Sequence, residues 1–520
     1  MRIRFDSKTG PDVPDPTEAL AQIQQLLAAQ QQTWSDRLTR DPATFAQLEH
    51  EVHLAFGQLA DRCVASLLAQ AAQASALAEQ AKKKVAEATR PLRTPEKRPL
   101  TLRLLGGLVL FVSTLYYGSA ARTGKGRGKE GTGLYPELAV FGISEGSSPA
   151  LISWVGRQCA LLPSYEIARQ ELAAQGTDLD IKVVHRIARQ LGAAMLTCRT
   201  RDLLRWRAGL LPAGSELAGK RVAAMIDGGR TRVRTVIHKQ QGRGKGKKQR
   251  RRYQAEWREP KLLIIFAIDE HGRMMKETRP WIDGTFAGPD EAMELMAFHL
   301  HRLGATRAPV VVFVADGAPW VWERLDWVAK RVGLTAKQVV RVLDWCHAVH
   351  NLSLALAALP LAEAERQRQY KQLRLWLRRG WHGLVQLELT KLAEEAGWPA
   401  GVEQPIEYLR KHAAAGHMAY RSCRRRGLPQ GSGAIESAIR RVINLRLKGP
   451  GLMWQEENAE GALALRAAAV TKRWDETLAW VREEMGRDRQ ISWAWVSPDM
   501  LAELKAKVPI KPPVPQKAAA

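Results

Sequence analysis

The chain has 520 residues, enough for about three domains at roughly 150 residues each, and 45% of them are hydrophobic, which excludes wholesale disorder. Lys and Arg number 79 against 53 Asp and Glu, a formal net charge of +26 that opposes compaction and points to a polyanionic partner, with solubility alone as the competing account. The five cysteines (Cys63, Cys159, Cys198, Cys346 and Cys423) are all isolated, which excludes a zinc ribbon and a disulfide framework and fits a reducing compartment.

The N-terminus has no signal-like apolar run. The most apolar stretch, residues 104–117, is too short to span a bilayer and is broken by Gly106 and Gly107, so it reads as two buried strands. A cytoplasmic, nucleoid-associated protein with no membrane partner is expected. Residues 17–90 read as helical. Phe45, Leu48, Val52, Phe56, Leu59, Cys63 and Leu67 recur at three- and four-residue steps and share one helix face. Pro91 and Pro95 end the region, and Asp41-Pro-Ala separates two helices. A packed bundle and an arm for oligomerisation or DNA ends both fit. Residues 118–133 form a Gly, Arg and Lys run with the composition of a flexible basic loop.

A helical pair follows. Ser164 can cap a helix through Ala174, and Asp180 can cap another over residues 181–191, with Gly176 in the turn. A helix-turn-helix whose second helix enters a major groove and a plain helical hairpin share this pattern. From about residue 219 the pattern changes. Strands are predicted at 221–226, 261–269 and 273–280, the last after a His271-Gly272 turn. A helix is predicted at 290–303, a doubly buried strand at 309–315, a Trp-rich helix after it, a strand at 339–343 and a helix at 347–359. The order implies a mixed α/β sheet with hairpin-linked early strands and helical crossovers later. Residues 361–430 read as a helical insertion, and a helix resumes over 433–447. The Lys- and Pro-rich tail reads as disordered.

In an open α/β sheet, ligand groups collect at the carboxyl ends of strands. Asp227 (Met-Ile-Asp-Gly-Gly), Asp316 (Val-Ala-Asp-Gly-Ala) and Asp344 (Val-Leu-Asp-Trp-Cys-His) sit at such ends. The glycine after Asp227 and after Asp316 is expected to let a substrate backbone approach, although Asp-Gly is also an ordinary turn. Glu436, in Gln430-Gly-Ser-Gly-Ala-Ile-Glu-Ser437, falls in the first turn of a helix, where a carboxylate faces the helix dipole. A capping acid is the plainer account. Phosphodiester attack charges both the attacking and the leaving oxygen, and two divalent ions about 4 Å apart stabilise both. Magnesium takes oxygen ligands and keeps several waters, so a few carboxylates suffice.

The four motifs together, Met-Ile-Asp-Gly-Gly, Val-Ala-Asp-Gly-Ala-Pro-Trp, Leu-Asp-Trp-Cys-His-Ala-Val-His-Asn and Gly-Ser-Gly-Ala-Ile-Glu-Ser, resemble the DDE transposases of bacterial insertion sequences, most closely the ISKra-type family in the Mutator-like group. The resemblance covers roughly residues 135–480. It implies an RNase H-like core with a helical insertion before the last acid. It also implies Asp227, Asp316 and Glu436 as catalytic metal ligands for two Mg²⁺ ions, with Mn²⁺ able to substitute. Asp344 and His347 would form the family's Asp-x-x-His signature; for His347, orienting DNA or a carboxylate and capping a helix stay open, and Asp344 is a possible additional ligand. Trp454 resembles a residue after the family glutamate, with base stacking and core packing both open. Family members carry paired cysteines near the segment that here reads Tyr116-Tyr117-Gly-Ser-Ala-Ala-Arg; this chain has none there.

Residues 230–252 hold eleven Arg or Lys and no acid, among them Arg230, Arg232, Arg243, Lys245, Lys247, Lys248, Arg250, Arg251 and Arg252. Beside Asp227, such a loop is expected to grip phosphates, giving affinity without sequence information. Arg421, Arg424, Arg425 and Arg426 before the Glu436 motif, and Arg440 after it, can do the same. The expected layout is a helical region at 1–95, a basic DNA-binding region at 96–215, the core at 216–360, the insertion at 361–430, the last core helices at 431–485 and a tail at 486–520. The function expected is cleavage of insertion-sequence ends and joining of the 3′-hydroxyl to target DNA, in a homodimer or larger synaptic complex on double-stranded DNA. A nuclease or resolvase without strand transfer, and a silent DNA-binding descendant, are the alternatives.

Overall fold

The N-terminal region is mainly helical, but it also carries a three-stranded sheet that the helical periodicity did not foretell. The computed structural model describes residues 1–88, 92–119, 133–144, 146–238, 252–449 and 451–485. The first of two units gathers residues 1–201 with 464–469 and the described residues from 473 on; the second holds 202–463 and 470–472. In the first unit lie β1 (Arg2–Phe5), α1 (Pro16–Arg40), α2 (Phe45–Ala71), α3 (Ser75–Ala86), β2 (Leu92–Arg103), β3 (Val109–Ser119), α4 (Pro136–Val140), α5 (Pro149–Leu161), α6 (Tyr165–Ala174) and the start of α7 (Ile181–Arg207). The sheet order is β1-β3-β2, all antiparallel. Gly107, at φ +93°, closes the turn between β2 and β3, so residues 104–117 supply a turn and one strand rather than two strands. Asp41 accepts the Ala43 N–H at 3.1 Å and separates α1 from α2 as expected. The predicted apolar stripe of α2 is buried only at Leu48 and Leu59, while Phe45, Phe56 and Leu67 are exposed.

Ser164 and Asp180 accept backbone N–H groups of Ile167 and Lys182, the capping bonds their residue types favour. Ala168, Leu172, Val184, Ile187 and Leu191 pack with Leu151, Val155 and Cys159 of α5. The second helix of the pair runs on to Arg207, well past the expected end at Leu191. Its exposed positions include Lys182, His185, Arg186 and Arg189. The basic run at 118–133 falls almost wholly outside the described residues.

The second unit is built on β4 (Arg221–Gly228), β5 (Thr231–His238), β6 (Arg252–Arg258), β7 (Lys261–Ile268), β8 (Trp281–Thr285), α8 (Pro289–Leu303), β9 (Val311–Ala315), α9 (Pro319–Val332), β10 (Val339–Leu343) and α10 (Trp345–Ala357). Its main sheet has the order β10-β9-β4-β7-β8. Strands β4, β9 and β10 are parallel, and β7 is antiparallel to β4 and β8. The chain is therefore a mixed α/β protein. Every residue of β7 and β9 is buried, as continuous apolar runs demand. The third strand is 281–285 rather than 273–280: Pro280 has no N–H for a ladder, and the strand begins one residue after it. Helices α8 and α9 cover one face through Val222, Ala224, Ile226, Val311, Phe313 and Ala315.

The basic segment expected as a loop has strands for arms: β5 and β6 pair as an antiparallel hairpin, and residues 239–251 lie outside the described residues. The insertion is α11 (Glu363–Arg379), α12 (His382–Glu395), α13 (Glu403–Ala414) and α14 (Tyr420–Arg425). The single helix expected over 433–447 is α15 (Gly433–Ile439) followed by a π turn at Arg440–Asn444. Helices α16 (Glu456–Val470) and α17 (Trp474–Met485) complete the described chain. None of the described helices is long and apolar enough to cross a membrane. No disulfide joins the five cysteines among the described residues.

Candidate active site at the strand ends

Strand register brings the acids together. Val222 to Met225 of β4 lie beside Val311 to Val314 of β9. Two residues further, the same offset sets Asp227 level with Asp316. On the other side Leu343 lies beside Ala315, and the Asp344 N–H donates to the Ala315 carbonyl at 2.8 Å, so Asp344 is level with Asp316 too. Ile226 and Ala315 face α8 and α9. Side chains alternate along a strand, so the next residues in sequence, the acids, fall on the opposite face. Asp227, Asp316 and Asp344 thus stand abreast on three adjacent strands. Helix α15, which carries Glu436, packs against β4 and β7.

Each acid is held differently. Asp227 accepts the Gly228 N–H at 2.6 Å. Burial pushes its carboxyl up to about 6, against the Gly228 bond, and the Asp316 and Glu259 charges add to the rise while His347 opposes it. Asp316 accepts the Ala318 N–H at 3.0 Å. Asp344 is fully buried. It accepts Nδ1–H of His347 at 2.7 Å, the Ser432 hydroxyl at 2.9 Å, and the N–H groups of Cys346 and Ser432 at 3.1 and 3.2 Å. Burial raises its carboxyl, yet the bonds from His347, Ser432 and Cys346 hold it below the usual range. The bond to Asp344 raises the His347 imidazole against burial, and the Asp344, Asp316 and Asp227 charges act in the same direction. Ser432 Oγ also lies 2.8 Å from Glu436 Oε1. A hydroxyl has one proton to donate, so Ser432, standing between the two acids, serves one carboxylate at a time. The structure therefore sets Asp227, Asp316, Asp344 and His347 at neighbouring strand ends and brings Glu436 to Asp344 through Ser432. Among the described residues, no group of three or more His, Cys, Asp or Glu side chains is arranged to hold a single metal ion.

The glycines after the acids serve the fold. A Cβ at Gly228 would lie 1.9 Å from a Glu259 carboxylate oxygen, and one at Gly317, at φ +91°, would lie 2.3 Å from the Tyr408 hydroxyl. At Gly317 the neighbour is the Tyr408 ring, whereas at Gly228 it is the end of the exposed Glu259 side chain. Tyr408 donates to the Asp316 carbonyl at 2.8 Å, and Tyr420 donates to the Leu343 carbonyl at 3.1 Å. The insertion thus braces two of the acid-bearing strand ends. His412 bonds the Gly317 backbone and pairs with His417 through their Nδ1 atoms at 3.0 Å, and Trp322 stacks on His417. None of Tyr408, Tyr420, His412, His417 and Ser432 was singled out from sequence. Only Ser432 carried a signal, its place inside the Gly-Ser-Gly motif.

Of the basic candidates, Arg230 and Arg232 are exposed beside the site, Arg424 and Arg425 are exposed at the end of α14, and Arg440 is exposed in the π turn. Arg243, Lys245, Lys247, Lys248, Arg250 and Arg251 lie outside the described residues, and Arg252 begins β6. Trp454 is 7% exposed, donates Nε1–H to the Leu447 carbonyl at 3.2 Å and pairs its backbone with β5. That position is core packing and leaves no ring face open to a base.

No family model matches the chain, and neither a curated protein nor a solved structure is detectably similar to it.

Proposed function

We propose that the protein is a DDE-type DNA transposase with an RNase H-like core. The observation that carries this reading is the row of Asp227, Asp316 and Asp344 on one sheet face, joined by Glu436 from a motif 92 residues beyond Asp344. Three antiparallel strands followed by two parallel strands reached through helices support the core assignment, and the +26 charge and exposed basic residues support a DNA substrate.

The donor set suits hard divalent cations. It is carboxylate oxygen with one imidazole, and the burial that raises the Asp227 carboxyl keeps that oxygen set partly out of bulk water. Asp227, Asp316 and Glu436 would hold the Mg²⁺ ions. When bound, such ions stabilise charge on the attacking and leaving oxygens of a phosphodiester. Asp344 orients His347 by fixing the proton on Nδ1, which leaves Nε2 for a phosphate or a water. Arg230 and Arg232 hold the DNA backbone.

Incubating the protein and Mg²⁺ with DNA flanking its own gene tests the reading. Cleavage is expected, followed by joining of the freed 3′ ends to a plasmid. Asp227→Ala is expected to lower cleavage about 100-fold or more, since metal stabilisation of this kind is worth several kcal/mol; full activity in that variant overturns the assignment. Glu436→Ala is expected to lose activity at unchanged thermal stability. Asp344→Ala is expected to lose stability as well, and the reverse pattern transfers the ligand role to Asp344. Cleavage without joined product identifies a nuclease.

A further inference from the structure

The hairpin of β5 and β6 leaves the site four residues after Asp227 and ends three residues before Lys261. Its two faces differ. Thr231 and Val233 are buried, Thr231 donates to the Leu447 carbonyl at 2.8 Å, and the Arg234 N–H donates to the Trp454 carbonyl at 2.7 Å. That face is anchored. On the other, Arg232 is directly opposite Trp257, Arg234 is opposite Ala255, and Tyr253 follows two residues along. Residues opposite one another in an antiparallel ladder share a face, so arginines and aromatics line the outer one together.

Trp257 is 47% exposed and Tyr253 is 46% exposed. The Arg230 guanidinium lies 4.8 Å and that of Arg232 5.7 Å from the Trp257 ring centre, and Arg234 lies 5.8 Å from that of Tyr253. No carboxylate is within ion-pair reach of these three arginines among the described residues. Large half-exposed rings bordered by unneutralised guanidinium groups match a polyanion that also presents flat apolar faces. Unpaired nucleic-acid bases have that chemistry, whereas a duplex hides its base faces inside the stack.

We infer that this outer face is a stacking platform for unpaired bases of a DNA strand held beside Asp227, with Trp257 and Tyr253 as the stacking rings and Arg230, Arg232 and Arg234 on the phosphates. The inference rests on DNA being the substrate, and it adds that the strand is opened next to the reacting phosphate.

The test is binding by the full-length protein in EDTA, where no cleavage occurs, to a blunt duplex and to the same duplex with a single-stranded thymidine tail. The wild type is expected to prefer the tailed duplex. Trp257→Ala is expected to weaken tailed binding about tenfold and to leave blunt binding within about twofold. Trp257→Phe is expected to restore most of the preference, and Tyr253→Ala to act like Trp257→Ala. Equal wild-type binding to both duplexes, or parallel losses on both in the alanine variants, overturns the platform while leaving the transposase reading intact. Binding to neither DNA overturns both. Failure of metal-dependent cleavage with the tail preference present overturns the transposase reading alone.

Discussion

Burial disfavours the charged form of Asp227, and the Asp316 and Glu259 charges add to that. Its carboxyl is pushed from 3.8 up to about 6. A carboxyl raised in the fold stabilises the protein below its ordinary value, and that contribution is lost as pH rises through about 6. Asp227→Asn is therefore expected to be more stable than the wild type at pH 7 to 8 by about 1–2 kcal/mol, a discounted figure for a partly exposed group, and to lose the pH dependence between about 4 and 6. Urea unfolding at stepped pH measures both. Added Mg²⁺ is expected to raise the midpoint of the wild type and not that of the variant; equal responses would remove Asp227 from the ligand set. At this scale Asp227 and Asp316 were legible because each ends an apolar run. The joint between Asp344 and Glu436 was not, because the bond of Ser432 to Asp344 spans 88 residues, a pairing that only the tertiary fold decides.

The helical insertion shows what periodicity hides. Its helices were legible from spacing, but the docking of α13 onto the loop after β9 was not, since Tyr408 stands 92 residues from the carbonyl it holds. Tyr408→Phe removes one hydroxyl and keeps the ring. It is expected to cost about 0.5–1.5 kcal/mol in stability, to raise the Mg²⁺ concentration needed for half-maximal cleavage several-fold and to leave DNA affinity in EDTA unchanged. An unaltered Mg²⁺ requirement would make the contact structural only. The hairpin of β5 and β6 was hidden for another reason. Thr231-Arg-Val-Arg-Thr-Val alternates as a strand does, with Val233 buried and Arg232 and Arg234 exposed, but charge density made the segment look like a loop. Strand β8 starts later than expected because Pro280 has no N–H for a ladder, so the apolar Met274 and Met275 just after the turn do not open the strand and Trp281 does.

Across the whole molecule, two opposed titrations shape the response to acid. Burial pushes the imidazoles of His412 and His417 down to about 4. They are neutral in the fold and ordinary when unfolded, so their contribution is complete above 6.5 and is lost as pH falls toward 4. Asp227 acts in the other direction over a similar range. His347, raised by its bond to Asp344, and Asp61, raised by burial, act with Asp227, so what His412 and His417 themselves contribute from pH 7 to pH 5 is a fall in melting temperature. In His417→Phe, which keeps a ring against Trp322, the fall is expected to be smaller; an identical fall would place the acid sensitivity elsewhere.

The dependence of Asp344 on Ser432 has a consequence for how the protein comes into being. Synthesis proceeds from the N-terminus and earlier segments fold first. Asp227, Asp316 and Asp344 leave the ribosome long before residue 430, yet the Trp345 N–H finds its acceptor only at Gln430, and Asp344 and Glu436 meet only through Ser432. For an enzyme of the proposed kind, a chain that stops short of residue 430 would lack both a finished cutting centre and the Leu447 and Trp454 carbonyls that hold the hairpin of β5 and β6. Cutting and gripping would therefore mature together, and interrupted translation would yield chains capable of neither.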